Sequence, residues 1–306
     1  MKHAPTQTGI LLNLSVPELA LKYAGFPCDG VGLMRAEFLA LSMGVHPRKL
    51  IAEEGAGRFI TCFADQLAKV ATAFFPRPVI YRTLDLKSNE YAQLDGGAEF
   101  EQAEENPMLG FRGCARYTRD QESFRLELRA VKRVIESGLD NVRLMLPFVR
   151  FPRELEDCRQ WITEEGLFES SGFELWMMAE VPSNILLIEQ FLPHVSGVSI
   201  GSNDLTQLIL GIDRDSHRMA EQFDTRDPAV LAGIEHIARA CRERDVPVSI
   251  CGDAPSRHPE LIRRLIGFGL SSISVSADAF EATLAEVIRV ETDPGIFPPA
   301  DRTTGS

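Results

Sequence analysis

Residues 195–216 read VSGVSIGSNDLTQLILGIDRDS. The stretch opens as a β-branched apolar run and breaks at Gly201-Ser202-Asn203-Asp204. It then continues with apolar residues at helical spacing. A buried strand that ends on small and polar residues and feeds a helix reads as one βα unit. Seven other runs share the pattern: GILLNLS (9–15), GVGLMRAEF (30–38), PVIYRTLDL (78–86), NVRLMLPFV (141–149), ELWMMAEVP (174–182), VPVSICGDA (246–254) and SSISVSA (271–277). They are continuously apolar rather than alternating, which suits strands of a parallel sheet covered on both faces. Helical sequence lies between them. VPELALKYAG follows the first run, and residues 46–75 precede the third. The segments 121–138 and 152–166 each stop on a glycine. Asp227-Pro228 opens 227–245 as an N-cap and first helical residue. Eight strands, each paired with helix, predict a (β/α)8 barrel, with a doubly wound open sheet as the alternative.

Two connections are long. Residues 39–77 read as mostly helix. Residues 88–120 contain LDGGAEFEQAEENPMLGFRG, a polar, acidic and Gly-rich stretch of the kind that is functional or disordered. Residues 1–290 read as one barrel, and the Pro-rich end, 291–306, is expected to fray. The 306 residues carry a formal net charge of −12, which argues against nucleic acid and against an anionic membrane surface. No apolar run approaches the roughly 20 residues of a membrane span. The six cysteines form no C-x-x-C pair, and MKHAPTQTG has no apolar core of a signal peptide, so a reducing cytoplasm is expected.

In a barrel the C-terminal strand ends share one mouth. Strand two ends at Arg35 and Glu37, strand three at Arg82 and Asp85, and Arg112 lies in the following loop. Strand five ends at Glu180, strand six at Asn203 and Asp204, and strand seven at Cys251 and Asp253. A lone arginine at a strand end is ordinarily a surface ion pair. Three converging in an acidic protein point instead to phosphate or carboxylate oxygens, which the guanidinium fork matches. Glu180 sits inside the apolar run LWMMAEVP, where a carboxylate is costly unless paired or bound to metal. Two carboxylates fit Mg²⁺, and no His or Cys spacing supports zinc. Cys251 alone would be a buried structural thiol. At a strand end, mostly protonated near pH 7, it is a candidate acid–base group. Gly201 and Ser202 are small enough to let a ligand approach the backbone. The sequence has no P-loop, no G-x-S-x-G and no H-E-x-x-H.

These residues stand in motifs that resemble the phosphoenolpyruvate-binding barrel of phosphoenolpyruvate synthase, pyruvate phosphate dikinase and enzyme I of the sugar phosphotransferase system. The motifs are DGVGLMRAEF, YRTLDLKSNEY, EENPMLGFRG, LMLPFV, MMAEVPSN, SIGSNDLTQ, DRDS and ICGDAPS, spread over about residues 8 to 280. KSNEYAQLDGG and GSNDLTQLILGIDRDS point to the synthase branch. The resemblance implies that Arg35, Arg82 and Arg112 hold phosphoryl and carboxylate groups and that Glu180 and Asp204 bind Mg²⁺. It implies that Gly201, Ser202 and Asn203 contact substrate, partly through backbone, and that Cys251 exchanges a proton with the methyl-derived carbon of the pyruvate enolate. It also implies a homodimer.

The pattern departs at Ala36, where relatives often carry Thr, and at Asp253, where they carry Glu or Gln. Nothing in the sequence resembles the ATP-binding domain or the phosphohistidine domain that work with this barrel elsewhere. The expected function is therefore the enolpyruvate phosphoryl-transfer half-reaction, with phosphohistidine supplied in trans. The alternative is a non-catalytic binding module or regulator. A C–C lyase acting on 2-oxo acids fits the arginine triad and Cys251 less well.

Overall fold

The computed structural model describes residues 6–293. All eight runs form strands: β1 (Gly9–Leu14), β2 (Gly30–Arg35), β3 (Val79–Arg82), β4 (Val142–Leu146), β5 (Leu175–Ala179), β6 (Gly197–Gly201), β7 (Val248–Cys251) and β8 (Ser272–Val275). They close into one barrel in chain order, every neighbouring pair parallel, with Gly9 opposite Ser272 sealing β1 to β8. The open-sheet alternative is excluded, since closure leaves no strand edge.

The barrel interior is filled unevenly. Leu33, Ile80, Met145, Trp176, Met178 and Cys251 form its inner apolar cluster. The much larger cluster lies between the strands and the surrounding helices. Inside, β6 presents Gly197, Ser199 and Gly201, and a Cβ on Gly197 would come within 2.4 Å of the Trp176 ring. Small residues on one side of the barrel thus accommodate large ones from the other, which is how interdigitating layers reach close packing.

The helical signals hold with one refinement. Asp227 caps Pro228–Glu243 by accepting the Ala229 N–H at 2.8 Å. Gly138 and Gly166 take the left-handed backbone that ends their helices. Segment 46–75 is two helices, Pro47–Glu54 and Ala56–Phe74, broken at Gly55 with φ +86°. The connection 88–120 is ordered rather than loose. It carries three short helices, Ser88–Tyr91, Gly97–Phe100 and Cys114–Tyr117. Arg116 forks onto the buried Glu101 carboxylate at 2.6 and 2.8 Å, and Glu101 also meets His46 Nε2 at 3.1 Å. Bidentate guanidinium–carboxylate contact in a buried setting fixes a loop far better than surface polarity does. Within 6–293 no helix is long and apolar enough to cross a membrane. The segment expected to fray lies almost wholly outside the described residues.

Candidate functional site

The C-terminal mouth of the barrel holds a cavity of about 220 Å³. Its walls bring together Arg35, Arg82, Arg112, Glu180, Gly201, Asn203, Asp204 and Cys251, which the sequence placed at separate strand ends. They also bring in Glu37, Asp85 and Arg214.

The charges are tightly interleaved. Arg82 donates to Glu37 Oε1 at 3.0 Å and approaches Asp85 Oδ2 at 3.6 Å. Arg112 forks onto Asp85, with Nε at 3.0 Å from Oδ1 and Nη2 at 2.5 Å from Oδ2. The same Nη2 reaches Asp204 Oδ2 at 3.0 Å, and Arg214 meets Asp204 Oδ1 at 3.2 Å. The Arg35 side chain makes no hydrogen bond or ion pair to another described residue. Arg82 Nε and Glu37 Oε2 are likewise buried without a hydrogen-bond partner among the described residues. Burial works against charge on Arg82 and Arg112. The surrounding carboxylates outweigh it, and both guanidiniums are held above their ordinary range. Asp85, buried between them, is held below the usual carboxylate range by Arg112 and Arg82 against the effect of burial.

Glu180 behaves differently. It is 2 % exposed, and its Oε1 accepts the Phe148 N–H at 2.7 Å. Phe148 adopts φ +48°, an uncommon backbone state for an aromatic residue, held here at the mouth of the barrel. Its ring lies under Arg112, 4.1 Å from the guanidinium carbon to the ring centroid. Burial, then the negative charges of Asp204 and Asp85, push Glu180 up to about 8. A carboxyl forced to keep its proton beside two others is a place where a divalent cation would reverse the balance. One oxygen from each of Asp85, Glu180 and Asp204 lies within 4.8 Å of the others. A hard, all-oxygen set of this kind suits Mg²⁺ and not zinc. Gly201 is required for this arrangement because its Cβ would sit 2.6 Å from Glu180 Oε2.

Cys251 is 1 % exposed and lines the cavity. Burial raises its thiol, against the opposing pull of the Ser199 hydroxyl, which donates to Sγ at 3.4 Å, and of Arg82 and Arg35. The thiol is thus the proton-bearing form. Asn203 both lines the cavity and ties β6 to β7, accepting the Asp253 N–H at 3.2 Å. Ser202 turns its side chain away from the cavity. Its side chain is fully buried and donates to the Cys251 carbonyl at 3.0 Å, so its hydroxyl is not available to a ligand in the cavity. Gly252, at φ +117°, makes this contact fit, since a Cβ there would lie 2.3 Å from Ser202 Oγ. Arg214 belongs to the DRDS motif but carries no strand-end signal. Only the fold shows that its loop turns back over Asp204.

The fold and the mouth together define a class: a (β/α)8 barrel with a small cavity lined by four arginines, five carboxylates and one thiol. The chain belongs to the PEP-utilising enzymes, since the family described as "PEP-utilising enzyme, PEP-binding domain" matches residues 2–292. Curated relatives agree. It is 49% identical over 292 residues to a probable phosphoenolpyruvate synthase of Staphylothermus marinus, covering 94% of this chain and 35% of that protein. It is 47% identical to the phosphoenolpyruvate synthase of Aeropyrum pernix, with 94% and 36% covered. It is 43% identical to that of Neisseria meningitidis serogroup B, with 91% and 38% covered. The chain thus spans little more than a third of the length of these relatives.

Proposed function

We propose that this barrel binds phosphoenolpyruvate and pyruvate in the mouth cavity, with Mg²⁺ on Glu180 and Asp204, and carries out the phosphoryl-transfer half-reaction of a phosphoenolpyruvate synthase-like enzyme. The phosphoryl group passes between the enolate oxygen of pyruvate and a histidine on a separate domain or chain. The observation that supports this reading most strongly is the convergence of four guanidiniums on one small cavity beside a protonated thiol.

The roles follow from the charges. Arg35, without a partner, and Arg82, with a free Nε, are ready for anionic oxygens. Arg112 and Arg214 already hold a carboxylate, Asp204. An incoming phosphate or carboxylate takes over those guanidinium contacts and leaves Asp204 to the cation. Bound Mg²⁺ would supply positive charge against the oxygens on which charge develops. Cys251 holds its proton at the cavity wall and gives it to the methylene carbon when the phosphoryl group leaves. In the reverse direction the thiolate takes a methyl proton. Phosphoryl transfer otherwise asks the protein for positioning and electrostatics, which a rigid barrel mouth provides. A homodimer in a reducing cytoplasm is the expected working form, and sedimentation reads the oligomeric state.

The test is exchange of pyruvate methyl protons in D₂O with Mg²⁺ and a phosphate analogue. Exchange by the wild-type chain, lost in Cys251→Ala while phosphoenolpyruvate binding is kept, supports catalysis. Binding without exchange, equal in both proteins, makes the chain a binding module instead.

A further inference from the structure

The helix Gln121–Glu136 carries a carboxyl that the chemistry above does not use. Glu127 is 1 % exposed, and no cation pairs with it among the described residues. Its Oε1 accepts the Tyr81 hydroxyl at 2.8 Å and the Leu84 N–H at 3.1 Å, and its Oε2 faces the same N–H at 3.4 Å. An isolated buried carboxyl is an expensive way to fill space. Burial pushes it up to about 8, against its two hydrogen-bond donors, which favour the charged form.

Both donors belong to β3 or to the segment just beyond it. Thr83 N–H still reaches the Met145 carbonyl at 3.0 Å, extending the pairing with β4. Leu84 is the first residue past that rung, so its N–H needs an acceptor from elsewhere. Glu127 is that acceptor. The Tyr117 hydroxyl donates to the Leu84 carbonyl at 2.5 Å and lies 2.8 Å from Thr83 Oγ1. Residues 83 and 84 are therefore gripped from the outer, helix side of the barrel. Arg82 and Asp85, which flank them, enter the cavity on the inner side.

We propose that Glu127 is a positioning residue for the mouth: it prolongs the hydrogen bonding of β3 by one residue and thereby aims Arg82 and Asp85. The proposal rests on the reading of the cavity as the phosphoenolpyruvate site. Gln retains an acceptor where Oε1 stands, whereas Leu retains only the volume. In Glu127→Leu, amide exchange at Leu84 is expected to quicken by about tenfold or more and phosphoenolpyruvate affinity to fall by about tenfold. Glu127→Gln is expected to restore both to within about threefold of wild type. Faster exchange at Leu84 with unchanged affinity would reduce Glu127 to a structural residue, and unchanged exchange would overturn the proposal outright. Should Glu127→Leu not fold, Glu127→Gln decides alone: an affinity loss beyond about tenfold contradicts a role as simple acceptor. A wild-type chain that binds no phosphoenolpyruvate defeats the reading of the cavity, while Leu84 exchange still decides whether Glu127 holds the segment.

Discussion

Arg77, at the N-terminal end of the barrel, and the arginines that lie on carboxylates in the mouth cavity are used in opposite ways. At the N-terminal end, Arg77 donates to the backbone carbonyls of Ala24 at 2.6 Å, Phe26 at 3.0 Å and Cys28 at 3.1 Å. Beside it, Asn141 donates to the carbonyls of Ala71 and Arg77. Those acceptors are main chain and cannot leave without local unfolding. At the C-terminal end, Arg82, Arg112 and Arg214 lie on the side chains of Glu37, Asp85 and Asp204. A buried ion pair adds little net stability once desolvation is counted. Its partners can rotate or be replaced by a ligand. One end therefore reads as scaffold and the other as an exchangeable charge set, in keeping with the division of labour in barrels of this class.

The largest effect expected from this contrast is at Arg112. Arg112→Ala leaves Asp85 buried without its fork, so phosphoenolpyruvate affinity should drop on the order of 100-fold. Stability should fall by about 3 kcal/mol. Calorimetry and urea unfolding read the two separately. Arg77→Ala should do the reverse. Losing donors to three carbonyls should cost about 3 kcal/mol in unfolding, with ligand affinity unchanged. Altered affinity in Arg77→Ala would break the division between the two ends.

Gly201→Ala sharpens it on a finer scale. The backbone there, at φ −81°, accepts alanine, so the consequences are the clash with Glu180 and a tight 3.0 Å contact with Met178. Affinity should weaken by about tenfold, and overpacking against Glu180 and Met178 should also lower stability by about 1–3 kcal/mol. A further effect concerns pH. The ordinary glutamate value is 4.5, and Glu127 is pushed to about 8 in the folded chain. Between those values the unfolded chain has released a proton that the folded chain still holds, so this group's contribution to stability falls as pH rises. The stability advantage of Glu127→Gln over wild type should grow from pH 4.5 to about 8 and then level off. Urea midpoints across that range check it, and a constant difference would contradict the assignment.

The strands were legible because parallel strands covered on both faces leave continuous apolar runs, and the glycine stops and the Asp227 cap mark their helices equally well. Arg35, Arg82, Arg112, Glu180, Asp204 and Cys251 were legible because they occupy equivalent strand ends or the loop beside them. What a sequence cannot carry is the direction in which a side chain turns. Ser202 has the small size of a ligand contact, yet its hydroxyl goes to the Cys251 carbonyl. Arg214 and Glu127 lie on elements whose spacing says nothing of the mouth, and only the folded chain brings them to Asp204 and Leu84. The order in residues 88–120 was hidden for the same reason, because Glu101 finds Arg116 and His46 only in the fold.

The claim that matters most is that Glu180 and Asp204 hold a cation beside the bound anion. Titration of phosphoenolpyruvate by calorimetry, with and without Mg²⁺, on the wild-type chain and on Glu180→Gln tests it directly. The wild-type chain should bind at least about tenfold more tightly with Mg²⁺, and Glu180→Gln should bind with no dependence on it. Binding by the wild-type chain that ignores Mg²⁺, or an undiminished Mg²⁺ effect in Glu180→Gln, would contradict it.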